Sequence, residues 1–133
     1  MPLVLVAEDD EEYRAYLRLT LAGGPYEVVE AADGEAAWAL LVLHRPAVAV
    51  LDLGLPGRTG LELVRAVRAH PDLRRTYVIV LTGLRRAAEA QASLVAGADR
   101  HLMKPYPAEE LRRAVAQGLR LSDTDDRAPP STW

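Results

Sequence analysis

Short runs rich in valine and leucine recur five times in this chain, at Leu3 to Ala7, Tyr26 to Ala31, Ala47 to Leu51, Tyr77 to Leu81 and, more weakly, His101 to Met103. Continuous short apolar runs read as strands buried on both faces. Between and after them lie stretches of helical period. Tyr13, Leu17 and Leu21 mark the first, Ala37, Leu40 and Leu41 the second, and Leu61, Val64 and Val67 the third; a fourth runs within Ala87 to Ala96, and Leu111, Val115 and Leu119 mark the fifth. Strands and helices that alternate five times bury both strand faces as an α/β layer structure. The expected fold is a doubly wound parallel sheet of five strands with five helices shared between its faces.

Residues at the element boundaries agree. Thr59 followed three positions later by Glu62 forms a capping box, and His70-Pro71 ends the helix it opens. Pro107 suits a first helical position, with Glu109 and Glu110 in the positive first turn. One domain is expected over residues 1–121, followed by a polar, disordered tail over 122–133 that ends in a lone Trp133. A chain of 133 residues is long enough to build a core without staples.

Composition removes several function classes. The chain has no cysteine, which excludes disulfide scaffolds, zinc-thiolate sites, iron–sulfur clusters and thiol nucleophiles. Its apolar runs fall far short of the roughly 20 residues that a spanning helix needs, and no basic region precedes the first of them. A cytoplasmic protein without membrane association is expected. The formal charge is −3 and the basic residues cluster only as pairs, so direct binding to nucleic acid is not expected either. Fifteen of the 16 basic residues are arginine; the exception is Lys104.

In a doubly wound sheet, ligands bind outside the carboxyl ends of the strands. Those ends carry Glu8, Asp9 and Asp10 after the first strand, Asp52 after the third, Thr82 after the fourth and Lys104 after the fifth. Two carboxylates about 4 Å apart repel by roughly 4 kcal/mol at an effective dielectric near 20. A compensating cation is required, and all-oxygen donors without histidine or cysteine select Mg²⁺, with Mn²⁺ tolerated. A divalent ion held by few carboxylates keeps positions open for phosphate oxygens, which suits phosphoryl transfer to a carboxylate nucleophile. Lysine fits there as a compact point charge where a guanidinium would be wider. Asp10 stays open, since it reads equally as a helix cap; the glycines at 54, 57 and 60 match no phosphate-loop pattern and read as turn residues.

Taken together, Val4-Leu5-Val6-Ala7-Glu8-Asp9-Asp10, the segment from Tyr26 to Gly34, Leu51-Asp52-Leu53-Gly54-Leu55-Pro56-Gly57, Val80-Leu81-Thr82-Gly83, and Gly97-Ala98-Asp99 through Lys104-Pro105 resemble the receiver domains of two-component response regulators. The resemblance runs from about Leu3 to Leu121. It implies a flavodoxin-like strand order of 2-1-3-4-5 and a stand-alone, chemotaxis-regulator-like switch. Asp52 would accept a phosphoryl group from a sensor histidine kinase or a phosphotransfer protein. Asp9 would bind Mg²⁺ directly and Glu8 through water, with Asp52 and the Gly54 backbone carbonyl completing the metal site. Thr82 and Lys104 would contact the phosphoryl oxygens, and the Lys104-Pro105 peptide would be cis. Thr82 and the residue at 101 would form the switch that alters binding to a downstream protein, or to a second copy through the fourth-helix, fifth-strand and fifth-helix face.

Departures from the family pattern bear on that switch. His101 stands where Tyr or Phe is usual; Tyr77, where proline is common, leaves the site untouched. His101 is therefore read two ways, as a half-buried edge residue or as the switch side chain. Two rival functions were weighed. An aspartate-nucleophile phosphohydrolase needs a second acid two positions after the nucleophile, and Gly54 occupies that place. An unphosphorylated docking or dimerisation module would have no use for so costly a charge cluster.

Overall fold

The computed structural model describes residues 1–124. Five strands, β1 (Leu3–Ala7), β2 (Glu27–Ala31), β3 (Val48–Asp52), β4 (Tyr77–Thr82) and β5 (Arg100–Met103), form one sheet in the order β2-β1-β3-β4-β5. Every neighbouring pair is parallel, with Val4 beside Val28 and Val48, Ala49 beside Val78, and Val80 beside His101. The helices are α1 (Glu11–Leu21), α2 (Gly34–His44), α3 (Gly60–Ala69), α4 (Ala87–Ala96) and α5 (Ala108–Thr124), with a single 3-10 turn at Leu84–Arg86 before α4. The expected doubly wound fold and its strand order are observed.

Strand side chains alternate between faces, and each face has its own core. Leu5, Ala7, Ala49, Leu51, Val78 and Val80 meet Ala37 and Leu41 of α2, Leu63, Val64 and Val67 of α3 and Ala90 of α4. Val4, Val6, Val48, Val50, Ile79 and Leu81 meet Leu17 and Leu21 of α1 and Leu111, Ala114 and Val115 of α5. Both faces are therefore covered, which explains why the strands read as unbroken apolar runs.

Two details differ from the sequence pattern. In α3 the capping box is formed, with Glu62 N donating to Thr59 Oγ1 at 3.2 Å and Thr59 N to Glu62 Oε1 at 3.0 Å. That start sets the helix phase so that Leu63 is buried and Leu61 only half-buried. Helix α5 runs to Thr124, three residues past the boundary expected at 121, because Leu119 and Leu121 still pack against the second core and anchor its last turns. The rest of the expected tail, 125–133, lies outside the described residues.

Glycine inside α5 is explained by the strand side chains it covers. A β-carbon on Gly118 would lie 2.6 Å from Tyr77 Cδ2 and 2.9 Å from Val48 Cγ2. Tyr77 is large and almost fully buried, and the missing side chain at 118 gives its ring room. Gly118→Ala should therefore destabilise the protein by about 1–3 kcal/mol through overpacking, although alanine ordinarily gains about 1 kcal/mol over glycine inside a helix. Urea unfolding should show this loss, and Tyr77→Val in the same chain should recover most of it.

Candidate functional site

Strand order reverses at β1, whose neighbours β2 and β3 lie on opposite sides of it. The crevice outside the carboxyl ends of β1 and β3 is the place where such sheets bind ligands. Glu8, directly after β1, is 2% exposed, and its backbone N–H donates to Ala31 O at 3.0 Å. Asp52 is the last residue of β3 and 9% exposed. Thr82, the last residue of β4, is fully buried. Lys104 follows β5, and its backbone N–H donates to Thr82 O at 2.7 Å, so the lysine is aimed back across the strand ends.

Glu8, Asp9 and Asp52 each offer a carboxylate oxygen, and these oxygens lie within 4.8 Å of one another. Asp10 is not part of this group. Its Oδ1 accepts from Glu12 N at 3.0 Å and Tyr13 N at 3.3 Å, so it caps α1. Lys104 Nζ donates to Glu8 Oε1 at 2.9 Å and to Asp52 Oδ1 at 3.3 Å. One ammonium thus serves two buried acids, and Asp9 adds a third negative charge at the rim. Burial raises the Glu8 carboxyl above its ordinary value; the hydrogen bonds from Lys104 and Asp10 N oppose that rise, and the charge of Asp52 adds to it. For Lys104, burial works against the charge, but Glu8 and Asp52 outweigh it and the ammonium is held above its ordinary value.

The donor set fits a hard divalent cation: three carboxylate oxygens converge where a single ammonium leaves the site net negative. Both Glu8 oxygens already accept, Oε1 from Lys104 and Oε2 from Asp10 N at 3.2 Å. Asp9 and Asp52 are left as the more available ligands.

The Thr82 hydroxyl is not hydrogen-bonded to Asp52. Its hydroxyl donates to Gly83 O at 3.1 Å and to Arg86 O at 3.4 Å, pointing along the segment between β4 and α4. His101 is half-buried in β5, in register with Val80 on the face that α4 covers. The Lys104-Pro105 peptide is cis.

Sequence reading missed two tyrosines. The Lys104 ammonium sits 4.2 Å from the centre of the Tyr13 ring, and Tyr13 OH donates to Tyr106 OH at 2.6 Å. From the sequence alone, Tyr13 reads only as an apolar position of α1. The signal available was its place five residues after Glu8, close enough for the first turn of α1 to lean over the acids. Burial raises the Tyr106 phenol far above its ordinary value, helped by Tyr13, and burial also raises Tyr13.

Residues 4–116 match the family model described as the response regulator receiver domain. The response regulator MprA of Mycolicibacterium vanbaalenii is 39% identical over 132 residues, covering 98% of this chain and 56% of that protein. The chain thus spans about half the length of the curated relatives it matches. Among solved structures, the REC domain of the response regulator AraT from Geobacillus stearothermophilus is similar at 32% identity and a TM-score of 0.83, covering 95% of this chain and 98% of that one. The chemotaxis response regulator CheY4 of Vibrio cholerae is similar at 32% identity and a TM-score of 0.80, covering 89% and 98%.

Two outcomes test the electrostatics. Removing one of the crowded acids relieves repulsion, so Asp52→Asn should raise the free energy of unfolding by roughly 1 kcal/mol in metal-free buffer, read by urea titration. At high pH the sign runs the other way for the phenols. A tyrosine whose folded value is raised stabilises the fold below its unfolded value near 10 and loses that contribution as pH climbs further. In alkaline titration, the last part of the phenolate absorbance should therefore appear together with loss of the helical circular dichroism, and Tyr106→Phe should shrink that part.

Proposed function

This chain belongs to the response regulator receiver family, and from that premise we propose that it is a phosphorylation-operated switch with Asp52 as its phosphoacceptor. The observation that carries the reading is the shared ammonium: Lys104 Nζ lies 2.9 Å from Glu8 Oε1 and 3.3 Å from Asp52 Oδ1 beside a third acid. In the proposed reaction an Asp52 oxygen attacks the phosphorus of a phosphohistidine on a sensor histidine kinase or phosphotransfer protein. The P–N bond breaks, and the imidazole nitrogen keeps the electron pair and takes up a proton. Asp52 becomes an acyl phosphate.

Asp9, Asp52 and the Gly54 carbonyl would hold Mg²⁺, with Mn²⁺ tolerated and Glu8 reached through water; the ion would supply charge for the phosphoryl oxygens. Lys104 supplies a second, fixed positive charge. It is already turned toward Asp52, which lowers the reorganisation needed when negative charge builds up there. Thr82 turns its hydroxyl from Gly83 O and Arg86 O toward the phosphoryl group and completes the donor set.

The role is that of a phosphoacceptor rather than a turnover enzyme. Gly54 offers no acid to protonate a leaving group, which speaks against hydrolysis of small phosphate esters. Output is proposed to pass through the face of α4, β5 and α5, which would change its affinity for a downstream protein or for a second copy of the chain. His101, half-buried in β5 on the α4 side, is kept as part of that switch. Among the described residues no helix is long and apolar enough to cross a membrane, and a cytoplasmic setting alongside the phosphodonor is proposed.

Intact-mass analysis tests the reading. After incubation with Mg²⁺ and acetyl phosphate, the parent should gain the mass of one phosphoryl group, while Asp52→Asn and the parent in a chelator should gain none. Phosphorylation of Asp52→Asn to the same extent would refute Asp52 as the acceptor.

A further inference from the structure

Arg86 stands next to the acceptor in a way that the strand-end motifs do not announce. A β-carbon placed on Gly54 would lie 3.3 Å from Arg86 Nε, 3.5 Å from Arg86 Nη2 and 3.3 Å from Asp52 Oδ2. The guanidinium and the carboxylate flank one small volume, which stays open because residue 54 has no side chain. Arg86 Nη1 donates to Glu89 Oε1 at 2.8 Å, one helical turn into α4. Its Nε–Nη2 edge, the edge that pairs with two oxygens of a phosphate, faces Gly54 and has no hydrogen-bond partner among the described residues.

We propose that Arg86 is a further phosphoryl-binding residue of this chain: once Asp52 is phosphorylated, the guanidinium leaves Glu89 and binds the phosphoryl oxygens through the notch at Gly54. This rests on the reading of Asp52 as phosphoacceptor. Charge decides the exchange, since a phosphoryl group carries about −1.5 to −2 where Glu89 carries one charge. The pair being given up is half-exposed on both sides, at 46% and 38%, and such pairs hold weakly. Arg86 is also the residue that precedes α4, and its carbonyl accepts from Thr82. When Thr82 turns inward and the guanidinium follows, both side-chain links at Arg86 are released together.

Beryllofluoride with Mg²⁺, a mimic of a carboxylate-bound phosphoryl group, provides an equilibrium readout on the full chain. Arg86→Gln should weaken its binding about fivefold, Glu89→Gln should strengthen it about twofold by removing the competitor, and Arg86→Lys should recover part of the loss. In the Arg86→Gln background the Glu89→Gln change should have no effect, a coupling that a merely structural role would not produce. The Arg86 Nε–Hε nuclear magnetic resonance signal should shift on adding beryllofluoride to the parent and stay fixed in Asp52→Asn. Equal affinity of parent and Arg86→Gln, or a Glu89→Gln effect that persists without Arg86, overturns the proposal. A parent that takes neither beryllofluoride nor, by intact mass, a phosphoryl group overturns the acceptor reading itself, and the role of Arg86 with it.

Discussion

A single ammonium stands between two buried carboxylates at the ends of β1 and β3, and much of the local structure exists to keep it there. Glu8 is 2% exposed and Asp52 9%; either acid left without a cation would face the full cost of a buried charge. Lys104 meets both, but only because β5 delivers it to that point. Its backbone N–H is pinned to Thr82 O at 2.7 Å, and the chain turns sharply after it into α5. The Tyr13 ring then covers the ammonium on one side, and Tyr106 holds the Tyr13 hydroxyl. The start of α1 and the link from β5 to α5 are thereby tied to the acids by contacts that apolar packing alone would not specify.

That compensation is incomplete. Two acids share one lysine, and Asp9 contributes a third negative charge at the rim. The fold tolerates the excess because the two apolar cores carry its stability, with strand and helix side chains fully buried on both faces of the sheet. Crowded charge of this kind is costly to the fold and useful to chemistry, since a site that attracts cations and offers an oxygen nucleophile is already prepared for a phosphoryl donor.

The strands were legible in the sequence because both of their faces are buried, so each reads as an unbroken apolar run, and five such runs with helices between them leave few topologies. Glu8, Asp9, Asp52, Thr82 and Lys104 were legible for a related reason: a parallel sheet gathers its carboxyl ends, so residues far apart in the chain share one rim. The Tyr13–Tyr106 pair was not, because a tyrosine at a helical apolar position looks like any core residue until a partner 93 positions away is known. Arg86 was hidden by abundance among fifteen arginines. What sets it apart is the side chain missing at Gly54, and an open space of that kind has no signature of its own in a sequence. The burial of Leu63 rather than Leu61 follows from the phase that the capping box imposes on α3, a shift too small for a periodicity to resolve.

If charge at Asp52 is to reach the outer face as proposed, the segment between β4 and α4 holds the side-chain contacts closest to it. His101 occupies the β5 position where the resemblance leads one to expect an aromatic lever, and an imidazole fills less of the space a phenol or phenyl ring would sweep. The segment from β4 to α4 carries two movable links instead: the Thr82 hydroxyl, now bonded to Gly83 O and Arg86 O, and the Arg86 guanidinium, now bonded to Glu89. Under the proposed roles each would gain a stronger partner in a phosphorylated Asp52, and each acts on residue 86. Side-chain and backbone changes thus add at one point, the entrance to α4, rather than dividing between two strands. On the proposed reading, the first turn of α4 would respond directly to charge at Asp52, and His101 would follow the repositioned helix instead of leading it.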